Sequence, residues 1–537
     1  MSALHLYDLA MVHGLGGEGN AALSKLWSTP SPLTSGTWEP TRYKTISKTE
    51  ALQSLPGFAH TTANLIDQIQ AHDDPTGTQT CHDINALTMW DVDSLVTEFQ
   101  SKSNGFFILT NSRALPPAEA RKLVSNILRK VSEAATIAEQ KFEVVLRGDS
   151  TLRGHFLEEI ESHISAIGSP NAWIFAPFFE QGGRFTIDDV HYVAENNTLI
   201  PVADTPFATD RTFGYKSSNL RDYVLEKAGN SFTHRDIVSV TLKDIRQGGP
   251  EAIAAKLITA PKGGIVIMNA VKEEDMLLFC LALLDVQKKH NLRFGYRTGA
   301  SFVSSRLGIP PKDPIEARQL AMPDIAMHTG GLIVVGSYVP KSSRQLETLI
   351  RRRGSELEVL TVDVPALLAE AGSQPDIQTT LQNSANMQRI VAQTSASLQS
   401  GKDVLVMTSR ELMTTDSLAT DAPAAVKHLT NLDINTLVAS SLVHILRSLK
   451  ICPRYLLAKG GVTSSDAATA GVGIKRGRVL GQAAPGVPIW WCEDDGDSKT
   501  VEEGGRRMKW TRLPLIVFPG NVGDEDTLAD VVEKWAA

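Results

Sequence analysis

The sequence predicts an α/β protein of two α/β domains, with mostly parallel sheets enclosing an interdomain cleft. Three observations lead there. At 537 residues the chain is too long for a single hydrophobic core. Short apolar runs alternate with stretches of helical periodicity. Those runs are apolar throughout rather than at every second residue, which is what strands covered on both faces require.

Taken in order, residues 1–55 carry few structural signals. Ser28 to Pro40 is a connector rich in Ser, Thr, Pro and Gly, so this region reads as an N-terminal extension. A first domain is expected over 56–315. Gly105–Asn111 (GFFILTN) reads as a buried strand, and Pro116 to Glu139 repeats apolar residues at helical spacing through Leu123, Ile127, Leu128, Val131 and Ala135. Phe142–Leu146 is the next strand, Phe156–Ile167 the next helix and Ala172–Phe178 a third strand. Between about 185 and 245 the pattern changes to short strands with polar flanks (His191–Val193, Leu199–Val202), as in an antiparallel insert or edge. The α/β rhythm then returns with Gly264–Asn269 and the helix Glu273–His290.

Ile309 to Asp324, rich in Pro and charge, marks the boundary between domains. A second domain is expected over 325–537. Its strands are Gly331–Gly336, Leu357–Val364, Asp403–Thr408, Tyr455–Ala458 and Leu515–Phe518, with a long helix over Ala424–Leu449. Loops at the carboxyl ends of parallel strands are where such sheets bind ligands.

Composition narrows the class of function. With 42% hydrophobic and 21% charged residues the chain is globular, not disordered or fibrous. Its net charge of −7 gives no general attraction to nucleic acid or to an anionic membrane. Cys81, Cys280, Cys452 and Cys492 lie far apart and form no CxxC pair, which argues against a thiolate zinc site and a disulfide framework. A cytoplasmic location is expected. There is no apolar run of the ~18–20 residues that a membrane-spanning helix needs, and no basic segment opens a signal peptide. No two histidines stand at the i,i+4 spacing of a helical zinc motif, and no metal ligands are assigned. A homodimer is the default expectation.

Gly14, Gly16 and Gly19 spell GxGxxG, the pattern of a dinucleotide-binding turn. They lack a firm strand before them and a βαβ unit around them, so a dehydrogenase is the weakest reading. Four other segments are richer in chemistry. His72-Asp73-Asp74-Pro75-Thr76-Gly77-Thr78 sets two acids beside turn formers. Such acids can accept a proton from a substrate hydroxyl or hold Mg²⁺ through water, although a capped turn uses the same residues. Arg147-Gly148-Asp149-Ser150-Thr151-Leu152-Arg153-Gly154-His155 follows a strand with two arginines, two hydroxyls and two glycines. That exceeds what a helix cap needs and suits a carboxylate or phosphate. Arg113, at the end of the neighbouring strand, is placed to serve the same anion. In the second half, Gly336-Ser337-Tyr338-Val339-Pro340-Lys341 and Ala458-Lys459-Gly460-Gly461-Val462-Thr463-Ser464 each join strand to helix. Together with Gly520-Asn521-Val522-Gly523 they point to a nucleotide, because paired glycines let the backbone approach phosphates closely.

Taken together these segments resemble the four-carbon acid sugar kinase family, which includes threonate and erythronate kinases. The resemblance runs from about Leu65 to the C-terminus. DDPTGTQT, the Ser112–Arg113 pair, DSTLRG, FFEQGGRFTIDDVHYV and FATDRTFGYKSSNL resemble its substrate-domain motifs. GSYVPKSS, AKGGVTSSD, GQAAPGVPIW and FPGNVG resemble its nucleotide-domain motifs. The resemblance implies transfer of the γ-phosphoryl group of ATP, with Mg²⁺, to the terminal hydroxyl of a short sugar acid such as threonate or erythronate. Asp74, Arg113 and Asp149–Thr151 would contact the acid. Ser337, Gly460, Gly461, Val462, Thr463 and Gly520 would contact ATP. The residues support that division: Arg113 with Arg147 or Arg153 can pair with a carboxylate, Asp74 and Asp149 can accept sugar hydroxyls, and Asp74 is the expected catalytic proton acceptor. Val462 stands where many members carry an aspartate, so its role passes elsewhere, with Asp466 a candidate. Val339 replaces a second hydroxyl, and Arg147 stands where lysine is common. Val462 and Val339 keep open an alternative, a nucleotide or metabolite sensor that retains the fold without the chemistry.

Overall fold

The computed structural model describes residues 68–72, 75–101, 103–195, 198–320, 328–336, 340–371, 376–409, 431–492 and 512–536. The N-terminal glycine pattern at Gly14–Gly19, Asp73, Asp74, Ser337 and the first part of the expected helix at 424–449 lie outside them. The chain divides into two compact units. One is formed by residues up to Asp73 and by Trp90–Pro311, the other by Asp74–Met89 and Lys312–Ala537. The stretch 74–89, which the sequence pattern places inside the first domain, therefore packs with the second unit.

Among the described residues the first element of the first unit is strand β1 (Gln68–His72). The chain then leaves for the second unit, where it forms β2 (Ile84–Leu87), and returns through helix α1 (Val92–Gln100) to β3 (Gly105–Leu109). There follow α2 (Pro117–Ile137), β4 (Glu143–Arg147), α3 (Phe156–Ile167) and β5 (Ala172–Ala176). An antiparallel meander, β6 (Arg184–Ile187), β7 (Val190–Glu195) and β8 (Thr198–Pro201), forms a separate three-stranded sheet, the insert that the change of pattern indicates. The main sheet is completed by α4 (Leu220–Ala228), β9 (Ile237–Val240), α5 (Gly249–Ile258), β10 (Gly264–Met268), α6 (Glu273–His290), β11 (Phe294–Thr298) and α7 (Ala300–Leu307).

That main sheet is parallel throughout, in the order β3-β1-β4-β11-β5-β10-β9. Every residue of β3, β5, β10 and β11 is buried, which accounts for the unbroken apolar runs of β3, β5 and β10. From β1 the chain moves outward to β3 and then crosses back to β4 on the other side of β1. The sheet thus changes direction at β1, where open α/β sheets bind ligands. His72 at the end of β1 is in register with Leu109 of β3 and Arg147 of β4, so the loops after β3 and β4 flank that point.

The second unit repeats the logic. It contains β12 (Leu332–Val335), α8 (Pro340–Arg353), β13 (Leu357–Val362), α9 (Val364–Ala371), α10 (Ile377–Asn383), α11 (Ala385–Gln399) and β14 (Asp403–Thr408). After these come α12 (Asn431–Ser448), β15 (Leu456–Lys459), α13 (Gly461–Asp466), β16 (Arg476–Ala484), β17 (Val487–Cys492), β18 (Pro514–Phe518) and α14 (Thr527–Ala536). Its parallel part runs β13-β14-β12-β15-β18, and β17, β16 and β2 extend it antiparallel. Here the direction changes between β12 and β15. The turn Pro75–Thr78 is buried in this unit, where the indole nitrogen of Trp490 donates to Thr78 Oγ1 at 3.0 Å.

One buried ion pair fastens the far side of the first unit. Arg246 Nε and Nη2 donate to the two oxygens of Asp275 at 2.6 and 2.7 Å, and the same carboxylate accepts from the backbone N–H of Val271 and Lys272 at 3.0 Å. Both side chains are almost fully buried. Replacing Arg246 by Met strands that carboxylate, so urea denaturation is expected to show a loss of about 3 kcal/mol. The double change Arg246→Met with Asp275→Leu should recover part of it. An unchanged midpoint for Arg246→Met would show that the pair contributes nothing.

Candidate functional site

In the first unit the site is a tight turn after β4. Leu152 N–H donates to the Asp149 carbonyl at 3.0 Å, and Leu152 closes the turn at φ +67°. The Arg297 guanidinium packs on Gly148: a Cβ there would lie 1.6 Å from it, so any larger residue would push that side chain aside. Asp149 is the hub. Its Oδ2 accepts from Arg153 Nε at 2.7 Å and from the Thr151 hydroxyl, and lies 3.7 Å from Arg113 Nη1. Burial alone would raise its pKa, but Arg153 and Arg113 hold the carboxyl well below the usual carboxylate range.

Arg113, Asp149, Thr151 and Arg153 are therefore neighbours, as their places in the sequence indicate. Ser150 enters through its backbone, its carbonyl accepting from His191 Nε2 at 2.8 Å. Arg147 is the last residue of β4 and only 6% exposed. Asp74, the expected catalytic acid, lies outside the described residues.

Of the supports of this turn, Tyr223, Glu159 and Arg297 carried no signal in the sequence, whereas Tyr215 and Ser112 lie in segments that resemble the family's motifs. Tyr215 donates its hydroxyl to the Thr151 carbonyl at 2.7 Å, and Tyr223 donates to the Leu152 carbonyl at 2.6 Å. Glu159 receives the Ser112 hydroxyl at 3.2 Å and stands 3.4 Å from Arg297, tying the Arg113 loop to the guanidinium packed on Gly148. The cavity behind the turn, lined by Gly148, Leu152, Phe156 and Tyr223, has about 10 Å³, room for one water.

In the second unit the ends of β12, β15 and β18 are level: Val335 is in register with Lys459, and Lys459 with Phe518. Gly460 adopts φ +109°, a conformation that favours glycine, and its N–H donates to the Phe518 carbonyl at 2.8 Å. Gly461 to Thr463 then open α13. Thr463 Oγ1 lies against Gly336, 2.9 Å from where a Cβ would stand, so the end of β12 and the start of α13 lie side by side. Ser337 itself is outside the described residues. Val462 is 48% exposed on this turn. Nothing lies within 4 Å of the Cβ position of Gly520. Lys459, to which the sequence pattern assigns no role, is fully buried with Nζ 4.1 Å from the centre of the Phe518 ring.

No cluster of three metal-ligating side chains is present among the described residues. A magnesium ion that arrives with phosphates needs only one or two protein carboxylates. Asp466 stands at the end of α13, and burial pushes its carboxyl up to about 6. No helix among the described residues is long and apolar enough to cross a membrane.

His191 makes the turn sensitive to acid. Because the Ser150 carbonyl can only accept, Nε2 carries the ring hydrogen and Nδ1 accepts from Thr186 Oγ1 at 2.9 Å. Burial pushes its pKa down from 6.5 to about 4, so the ring is neutral in the fold. Between those values the unfolded chain binds more protons, and stability from this group falls as pH is lowered. The stability advantage of wild type over His191→Asn should shrink by about 2 kcal/mol between pH 7 and 4.5. Urea denaturation at both pH values reads this; a constant difference would show that His191 does not confer the acid sensitivity.

Comparison with known proteins bears on both units. Residues 69–306 match a sugar-binding N-terminal domain, and residues 332–528 match a nucleotide-binding C-terminal domain. A D-erythronate kinase of Heliobacterium modesticaldum is 26% identical over 265 residues, 49% of this chain and 53% of that protein, so the match spans about half the length of this curated relative. Among solved structures, the putative tRNA synthase from Salmonella typhimurium LT2 superposes with a TM-score of 0.58 at 14% identity, covering 88% of this chain and 100% of that one. A Haemophilus influenzae protein gives 0.52 at 15%, covering 87% and 99%. At those identities the two structures speak for the fold alone. With its sugar-binding and nucleotide-binding halves matched in sequence order, the chain belongs to the four-carbon acid sugar kinase family.

Proposed function

We propose that this protein is an ATP-dependent kinase that phosphorylates the terminal hydroxyl of a four-carbon sugar acid such as erythronate or threonate. The observation that carries the reading is the Asp149 turn, where Arg113 and Arg153 bear on one buried carboxylate at the switch point of a parallel sheet. Arginine forks suit a carboxylate, and Asp149 with Thr151 suits the hydroxyls next to it. The half-length likeness to a D-erythronate kinase supports the choice of acceptor.

The second unit supplies the nucleotide side of the reading. Gly460 to Thr463 and Gly520 offer backbone that phosphates can approach, and Lys459 places a positive charge beside them. Mg²⁺ neutralises phosphate charge in such transfers, and Asp466 is the residue we assign to hold it. Asp74 takes the proton from the attacking hydroxyl. In phosphoryl transfer most of the rate comes from alignment and charge neutralisation, so residues that orient the two substrates matter as much as the base.

A sensor that binds ATP without consuming it is the second reading, favoured by the exposed Val462 where many members carry an acid. An ADP-release assay over four-carbon sugar acids with Mg²⁺ separates the two: turnover on at least one acid is expected, and ATP binding without turnover on any would favour the sensor. Asp74→Asn should lower kcat by roughly 10²- to 10⁴-fold while ATP affinity holds; unchanged kcat would remove Asp74 from the mechanism. Gly520→Ala meets no atom in the fold, so its melting temperature should match wild type while KM for ATP rises several-fold. An unchanged KM would place the phosphates away from Gly520.

A further inference from the structure

Three successive carbonyls of the Asp149 turn are each taken up by a side chain from a different segment. The Ser150 carbonyl accepts from His191 Nε2 of β7 at 2.8 Å, the Thr151 carbonyl from the Tyr215 hydroxyl at 2.7 Å, and the Leu152 carbonyl from the Tyr223 hydroxyl of α4 at 2.6 Å. All three donors are buried. Tyr215, in the loop after the meander, is itself held in place. Its backbone N–H donates to the Ala208 carbonyl at 3.0 Å, and its ring meets that of Tyr223 edge-on with centres 5.5 Å apart. The same loop touches the turn again through Phe207, whose ring centre lies 4.9 Å from the Arg153 guanidinium carbon.

A peptide unit is a rigid plane, so three held carbonyls constrain three consecutive planes and with them the backbone angles of Thr151 and Leu152, which lie between those planes. Leu152 needs that constraint. At φ +67° it has a conformation unfavourable for leucine, one that persists only where the surroundings impose it and that recurs at functional sites. The angles at Thr151 matter for a second reason. Its hydroxyl donates to Asp149 and accepts from Arg153 Nε at 3.1 Å, so they decide where that hydroxyl stands. We propose that Tyr215 is a positioning residue for the acceptor: with His191 and Tyr223 it holds the turn in its binding form before the sugar acid arrives. The assignment rests on the sugar-acid reading and deepens it, because it gives the loop after the meander a part in acceptor affinity that is exerted through the turn. A turn already in its bound shape needs no ordering when the ligand binds. One that samples other shapes loses affinity in proportion to the time it spends in them.

The test is isothermal titration of the full-length chain with erythronate, threonate and ATP, as wild type, Tyr215→Phe, Tyr223→Phe and Tyr296→Phe. Each variant removes one hydroxyl and keeps the ring. Tyr296 is the control: its hydroxyl lies 3.3 Å from Glu143 Oε2, at the opposite end of β4 from the turn. Tyr215→Phe should weaken the sugar acid by roughly 3- to 10-fold with ATP affinity equal to wild type, and Tyr296→Phe should match wild type for both ligands. Tyr223→Phe should act in the same direction as Tyr215→Phe, and it serves alone should Tyr215→Phe fail to fold. Acid affinity equal to wild type in Tyr215→Phe, or in Tyr223→Phe where that variant serves alone, overturns the assignment and leaves the kinase reading standing. Equal losses for acid and ATP, or an equal loss of acid affinity in Tyr296→Phe, also overturn it, since either marks a general loosening of the fold. A wild-type chain that binds neither acid removes the sugar-acid reading and the assignment with it.

Discussion

A buried carboxylate that stays ionised is the constraint on which the sugar-binding unit turns. Asp149 has lost much of its water, and an isolated carboxylate in that position would take up a proton. It remains charged because Arg153, Arg113 and the Thr151 hydroxyl bear on the same oxygen. Those contacts dictate the turn, and the turn dictates Gly148, the positive φ of Leu152 and the tyrosine hydroxyls that take up the Thr151 and Leu152 carbonyls. The position of each of these groups follows from keeping one negative charge in place.

The two units solve the problem of locating a ligand in the same way. In each, the chain leaves a strand, moves outward, and crosses back past it, so the loops at the carboxyl ends diverge and leave backbone available. In the first unit the point lies at β1, flanked by Leu109 and Arg147. In the second it lies between β12 and β15, where Val335 and Lys459 are level. The chemistry at the two points differs as their ligands would. The first gathers guanidiniums and hydroxyls around a carboxylate. The second offers glycines, one buried lysine and one half-buried acid.

The insert serves the same end. A three-stranded antiparallel sheet adds little to a seven-stranded parallel core, yet its residues surround the Asp149 turn. His191 supports the turn by hydrogen bonding, and Arg184 adds charge to it.

Local pattern alone determined the α/β class, the parallel character of the sheets, the antiparallel insert and the strand-end loops, because apolar runs and turn residues act over a few positions. The clustering of Arg113, Asp149, Thr151 and Arg153 was legible in part: all follow strands of one parallel sheet, but β3 and β4 are not the neighbours that the sequence suggests, because β1 lies between them. Tertiary structure alone decided the rest. The packing of Pro75–Thr78 beneath Trp490, the turn's reliance on Tyr215, Tyr223 and His191, the link from Ser112 through Glu159 to Arg297, and the approach of Arg184 to Phe207 all join residues distant in sequence. Nothing in a local window marks a tyrosine or arginine as the partner of a carbonyl or ring tens or hundreds of positions away. Only the folded chain, by removing water from those groups, makes their pairing obligatory.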